Sequence, residues 1–261
     1  MGRIISLTSG KGGVGKTTIV ANLGIALAQL NQKVLLIDAD IAMSNLSLLF
    51  GMQGSPITLH DVLLGEADIN DALYDGPANV HIIPSGLSLE SYRRVDPERL
   101  ESVVKEISSN YDFVLLDSPA GIEKTVKATL AASEEALIVL MPEPPSIADA
   151  LKIKFTAQRL GCKPIGVIVN MVRNEPGEIN AEDIMKMMEL PLYGIIPFDD
   201  EIRKTFLRKK VVPTIVRAPH SRGVMEIKKT ALKLVGRPVA ITQEKPKEGF
   251  FAKLVRIFRR R

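Results

Sequence analysis

Gly10-Lys11-Gly12-Gly13-Val14-Gly15-Lys16-Thr17-Thr18 follows the apolar run Ile4-Ile5-Ser6-Leu7 and opens a second apolar run, Ile19 to Leu30. Strand, glycine loop and helix in that order are the setting of a P-loop. Glycine at 10, 12, 13 and 15 lets successive backbone N–H groups turn inward around phosphate oxygens. The N-terminus of the following helix adds partial positive charge at the same point. Lys16 supplies a full charge for the β- and γ-phosphates, and the Thr17 hydroxyl is placed to ligate Mg²⁺. The expected nucleotide-binding set is therefore Gly10, Lys11, Gly12, Gly13, Val14, Gly15, Lys16, Thr17 and Thr18.

Working outward from this loop, short β-rich runs recur: Lys33-Val34-Leu35-Leu36-Ile37, Val80 to Ile83, Phe113 to Leu116, Ala136 to Leu140, Ile165 to Val169 and Tyr193 to Ile196. Unbroken apolar runs of this length read as strands buried on both faces. Helical stretches lie between them. One starts at Asp96-Pro97, an N-cap followed by proline at the first helical position, and is expected to reach Ser109. Others are expected over 146–160, 199–208 and 221–235. Alternating strands and helices predict an α/β fold with a mostly parallel sheet and helices on both faces. Residues 1–236 are expected to form this domain, 237–248 a linker, and 249–261 a terminal amphipathic helix.

In such sheets ligands sit at the carboxyl ends of the strands. Asp38, Asp117 and Asn170 each follow an apolar run, which brings Asp38 and Asp117 to the crevice of the P-loop. Asp117, after Phe113-Val114-Leu115-Leu116, has the Walker-B arrangement that holds Mg²⁺ directly or through water. Pro119-Ala120-Gly121 is expected to form a loop that senses the γ-phosphate. Asp38 and Asp40 are two apart and face the same way on an extended segment. One is placed to support the hydrated metal and the other, Asp40, to orient the attacking water; the alternative is that both bind only outer-shell waters. The expected metal set is Thr17, Asp38 and Asp117. No lysine is followed two residues later by aspartate, as guanine recognition requires, so ATP is the expected nucleotide. Asn170, Pro197 and Asp199 are the expected adenine contacts.

The 261 residues, 46% apolar and 25% charged, suit a soluble globular chain with a sizeable core. A single cysteine, Cys162, excludes an internal disulfide and any CxxC metal pair. His60, His81 and His220 lack metal-ligand spacing. The start does not read as a signal peptide, and no run of 18 apolar residues spans a membrane, so an intracellular protein is expected.

Lys11 is a second lysine in a loop that needs one. With it, Gly10 to Thr18 resembles the deviant Walker A motif, KGGxxGKT, of the ParA/MinD ATPases. Asp38-Ala39-Asp40-Ile41 and Asp117-Ser118-Pro119-Ala120-Gly121 resemble the switch segments of the cell-division members, and the similarity covers nearly the whole chain. It implies a homodimer around two ATP–Mg²⁺, with Lys16 acting in cis and Lys11 reaching the partner's phosphates, the part played elsewhere by an arginine finger. Lys11, Lys16 and Asp40 are then the catalytic set. The residues alone leave Lys11 open to a second role in cis. Relatives that carry iron–sulfur clusters need cysteines this chain lacks.

Residues 245–261 carry seven bases against one acid, while the whole chain has net charge +4, so the rest is slightly acidic. Wound as a helix, Phe250, Phe251, Leu254, Val255, Ile257 and Phe258 share an arc of roughly 160°. Lys253, Arg256, Arg259 and Arg260 lie opposite. That is the pattern of a helix lying in a membrane interface, and it resembles the family's membrane-targeting sequence. It implies reversible docking on an anionic membrane at its cytoplasmic face, strengthened when a dimer presents two tails. Packing of the tail on its own domain and binding to nucleic acid are the competing readings; the wide apolar face argues against nucleic acid. The function expected is a division-site or positioning ATPase, slow and stimulated by a protein activator or the membrane. The alternatives are a ParA-like switch that partitions DNA or cargo, and an adaptor with negligible hydrolysis.

Overall fold

The computed structural model describes residues 2–86, 93–208 and 211–238. Its elements are β1 (Arg3–Ser9), α1 (Lys16–Ala28), β2 (Val34–Asp38), α2 (Leu46–Phe50), α3 (Leu59–Leu64), β3 (Tyr74–Asp75), β4 (His81–Ile83) and α4 (Leu100–Ser108). Then follow β5 (Phe113–Ala120), α5 (Lys124–Ala131), β6 (Glu135–Leu140), α6 (Pro144–Arg159), β7 (Lys163–Val172), α7 (Ala181–Met188) and β8 (Leu192–Pro197). Two short helices, α8 (Asp200–Arg203) and α9 (Thr214–Arg217), precede α10 (Arg222–Leu234).

One eight-stranded sheet runs β3-β4-β2-β5-β1-β6-β7-β8. Every pair is parallel except β3 with β4. The expected α/β architecture is therefore present, with a two-residue antiparallel edge too short to leave a periodic signal. Strand order reverses around β1, the strand that feeds the P-loop, and this places the loop at a switch point on the carboxyl edge.

Alternate residues of each strand serve opposite faces. Ile5, Leu7, Leu36, Leu115 and Leu137 pack with α1 and α10. Ile4, Leu35, Ile37, Val114 and Leu116 pack against α3 and α4. Ala136, Ile138, Leu140, Val167 and Val169 pack against α5, α6 and α7. Because both faces are covered, the strands are apolar throughout instead of alternating. Helix α1 lies between the sheet and α10, so it too is apolar nearly all round.

The expected helix from Asp96 begins as a 3-10 turn, Pro97–Arg99, capped by the Asp96 carboxylate through Glu98 N–H. The helix expected over 199–208 splits into α8 and a 3-10 turn, Lys204–Leu207. Strand β5 runs three residues past Asp117, and Gly121 N–H closes onto Ser9 O at 3.0 Å. Pro119 and Ala120 are thus strand, not the loop expected there. β1 bulges opposite this point, between Leu7 and Ser9, and β2 has already ended, so a residue without an N–H is tolerated. Beyond α10, Gly236 has φ +68. The expected terminal helix, with Phe250, Phe251, Leu254, Val255 and Phe258, lies outside the described residues. No helix among the described residues is long and apolar enough to cross a membrane.

Asn22, fully buried in α1, joins the segment before α10 to the P-loop helix. Its Oδ1 accepts Ile215 N–H at 2.7 Å, and its Nδ2 donates to Thr18 O at 2.7 Å. Asn22→Ala strands a buried N–H and is expected to cost about 1–3 kcal/mol of unfolding free energy. Urea denaturation checks this; an unchanged midpoint would show that the bridge is dispensable.

Candidate nucleotide-binding site

The loop between β1 and α1 is shaped by its glycines, each for a separate reason. Gly13 and Gly15 have φ of +79 and +85, where a side chain is strained. At Gly15 a Cβ would also stand 2.4 Å from Asn170 Nδ2, and at Gly10 one would stand 2.5 Å from the backbone of Asp149. At Gly12 a Cβ would meet nothing within 4 Å, so space alone does not demand glycine there. Asn170 Nδ2 donates to Val14 O at 2.7 Å and so ties β7 to the loop.

Lys16 is the first residue of α1 and is almost wholly buried. Its Nζ donates to Asp117 Oδ1 at 2.8 Å. Asp117 is in register with Asp38 across the β5–β2 pair, so two buried carboxylates stand side by side with one lysine between them and the loop. Burial, and then the Asp117 charge, push the Asp38 carboxyl up to about 7 against the hydrogen bonds of Ser44 and Ser47. Asp38 Oδ1 and Asp117 Oδ2 are buried and have no hydrogen-bond partner among the described residues. Two oxygens in excess of their donors, at the foot of a phosphate loop, are a fitting donor set for a hydrated divalent cation.

The chain turns straight after Asp38, where Ala39 N–H bonds back to Ile37 O at 3.0 Å. Asp38 and Asp40 therefore do not share an extended segment, as the sequence predicts. Asp38 lies beneath the floor, whereas Asp40 lines the cavity and accepts Met43 N–H at 3.0 Å. Partial burial raises the Asp40 pKa, opposed by Met43 N–H and the Lys16 charge.

The cavity holds about 620 Å³. The whole loop from Lys11 to Thr18 lines it, together with Asp40, Asn170, Pro197 and Asp199. Lys11 is exposed at its mouth. Of the three residues expected at the adenine end, Pro197 is a plain wall. Asn170 has its amide nitrogen committed to the loop. Asp199 is a helix cap: its carboxylate accepts Glu201 N–H and Gly223 N–H at 2.8 and 2.7 Å. Its side chain is therefore held by α8 and α10, while the residue lines the cavity beside Pro197 as expected of a pocket wall. Met171, Phe198, Ile202, Arg203 and Phe206 also line this end. They went unnoticed in the sequence because isolated residues after a strand and along a short helix carry no pattern.

The family model described as the CobQ/CobB/MinD/ParA nucleotide binding domain matches residues 5–212. The chain belongs to this MinD/ParA nucleotide-binding family. It is 44% identical over 258 residues to an uncharacterized ATP-binding protein of Methanocaldococcus jannaschii, covering 98% of this chain and 97% of that one. It is 38% identical to the cell division ATPase MinD of Pyrococcus furiosus, with a TM-score of 0.86 over 90% of this chain and 99% of that one. The septum site-determining protein MinD of Pyrococcus horikoshii, solved with Mg-ADP, is also 38% identical, with a TM-score of 0.85 over 90% and 96% of the two chains. The MinD/ParA resemblance in the loop and after β2 and β5 thus extends to the fold, and the chain is of the MinD-like cell-division ATPase family.

In this MinD/ParA site the raised Asp38 pKa has a measurable consequence. A group whose folded pKa lies above its unfolded value contributes stability at low pH and loses it as pH rises through the folded value. For Asp38 the window runs from about 4 to about 7. In chelator-treated protein, Asp38→Asn is expected to gain stability relative to the parent by about 2 kcal/mol between pH 5 and pH 8. Denaturation at the two pH values checks the sign; a difference independent of pH would mean that Asp38 titrates normally.

Proposed function

We propose that this chain is a MinD-like ATPase that binds ATP with Mg²⁺ in the 620 Å³ cavity. It dimerises on doing so, and it docks reversibly on the cytoplasmic face of an anionic membrane through residues 249–261. The observation that carries the reading is the cluster of Lys16, Asp117 and Asp38 at the foot of a phosphate loop, with donors in short supply for two buried carboxylates. Mg²⁺, when bound, supplies charge neutralisation for the β- and γ-phosphates.

The residues then divide the work. Backbone N–H groups of Gly12 to Thr17 would surround the phosphates, and the Thr17 hydroxyl, with Asp38 and Asp117, would hold the hydrated metal. Lys16 serves two anionic partners, Asp117 and the phosphates. Asp40, on the cavity wall with a raised pKa, is suited to orient water and accept its proton. Lys11, exposed at the mouth, is available to a second copy of the chain. The apolar wall of Met171, Pro197, Phe198 and Phe206 offers the base a flat surface. Hydrolysis, stimulated by an activator protein or the membrane, returns the monomer to solution.

Two tails on one dimer raise apparent membrane affinity by about 10²–10⁴ over one. Flotation with anionic liposomes is therefore expected with a non-hydrolysable ATP analogue and not with ADP, and Leu254→Glu is expected to abolish it. Equal flotation in the two nucleotides, or undiminished flotation of Leu254→Glu, would refute the membrane cycle. Asp40→Ala is expected to lower the rate of ATP hydrolysis by about 10²-fold or more. Wild-type turnover in that variant would remove Asp40 from the mechanism.

A further inference from the structure

A chain of buried polar groups leads from Asp38 away from the cavity. Asp38 Oδ2 accepts three hydrogen bonds, from Ser44 Oγ at 2.8 Å, Ser47 N–H at 3.1 Å and Ser47 Oγ at 3.0 Å. Ser47 Oγ in turn accepts Ser85 N–H at 3.2 Å and lies 2.7 Å from Ser44 Oγ. Ser44 Oγ is also 3.3 Å from Ser85 O. Behind Ser85 stands His60 of α3, whose Nδ1 accepts Gly86 N–H at 2.7 Å and lies 3.3 Å from Ser85 Oγ. A backbone N–H can only donate, so this ring is the neutral tautomer with its proton on Nε2. A Cβ at Gly86 would stand 2.7 Å from His60 Nδ1, so the contact needs glycine.

The distribution of these bonds is one-sided. A carboxylate has acceptor capacity on both oxygens. Here Oδ2 takes every donor, and Oδ1 takes none among the described residues. All three donors come from one stretch, Ser44 to Ser47 at the start of α2, and Ser85, after β4, braces that stretch by donating its N–H to Ser47 Oγ, so the carboxylate is clamped by one oxygen. A structural aspartate that only had to be satisfied would share donors between its oxygens. A clamp on one oxygen fixes where the other points. Asp117, the register neighbour, likewise keeps Oδ2 bare.

We propose that Ser44 and Ser47, backed by Ser85 and His60, are positioning residues that hold Asp38 by Oδ2 and present Oδ1, beside Asp117, to the hydrated divalent cation. The proposal rests on reading the cavity as an ATP–Mg²⁺ site. Its consequence is that the serines set cation affinity without touching nucleotide or metal.

The test uses the full chain and a fluorescent ADP analogue, titrated with Mg²⁺ and separately in EDTA. Removing an outer-shell partner of a metal ligand costs about 10–100-fold in metal affinity. Ser44→Ala and Ser47→Ala are expected to raise the Mg²⁺ concentration for half-maximal enhancement of binding by about 10-fold or more. Affinity in EDTA is expected to stay unchanged. Ser44→Thr, which keeps the hydroxyl at a half-buried position, is expected to remain close to the parent. Adding Ser44→Ala to Asp38→Asn is expected to change nothing further, because the serine acts through the carboxylate. Wild-type Mg²⁺ dependence in Ser44→Ala, or an equal loss in the Asp38→Asn background, overturns the proposal. A parent protein that binds the analogue with no Mg²⁺ dependence overturns the ATP–Mg²⁺ reading itself, and the proposal with it.

Discussion

The structure depends most on the hydrogen-bonded ion pair between Lys16 and Asp117, 2.8 Å long and buried at both ends. It joins the first residue of α1 to β5, which lies between β1 and β2 in the sheet. Losing one partner of such a pair leaves a charge in a medium that cannot solvate it, at a cost of about 3–5 kcal/mol. The P-loop is thus held in place from below by Asp117 and from the side by Asn170, through Val14 O. Its glycines then need to supply only the curvature.

That pair does not balance the charge of the floor. Asp38 stands next to Asp117 with no cation paired to it among the described residues, and its carboxyl is pushed up to about 7. If Lys16 turns to a phosphate, Asp117 loses its ion-pair partner as well. A divalent cation arriving with the nucleotide restores the balance. On the proposed reading the two ligands are coupled: phosphate would draw on Lys16, the metal would relieve Asp38 and Asp117, and each would favour the other's binding. The serine clamp on Asp38 Oδ2 belongs to the same economy, since it fixes which oxygen is available.

Much of this was legible in the sequence because it is local. The P-loop is nine consecutive residues whose spacing carries its own chemistry. The buried strands announce themselves as short apolar runs, since helices cover both faces. What stayed hidden arises from contacts far apart in the chain. Asn170 bracing Val14, Asp199 capping α8 and α10, and His60 reaching Gly86 join residues that no local pattern links. The extension of β5 through Pro119 was masked by a residue that ordinarily ends strands, and the turn at Ala39 by a run that looked extended. The polar cluster of Ser44, Ser47 and Ser85 reads in sequence as ordinary loop composition.

On the proposed reading, binding is led by phosphate through Lys16 and completed by a metal. Calorimetric titration of the full chain with ATP and with AMP, each in Mg²⁺, tests it most directly when repeated on Lys16→Ala. ATP is expected to bind tighter than AMP by at least about 10²-fold, as charged hydrogen bonds of roughly 1.5–3 kcal/mol each imply. Lys16→Ala is expected to lose that preference. AMP binding as tight as ATP, or a Lys16→Ala variant that keeps the preference, would contradict it.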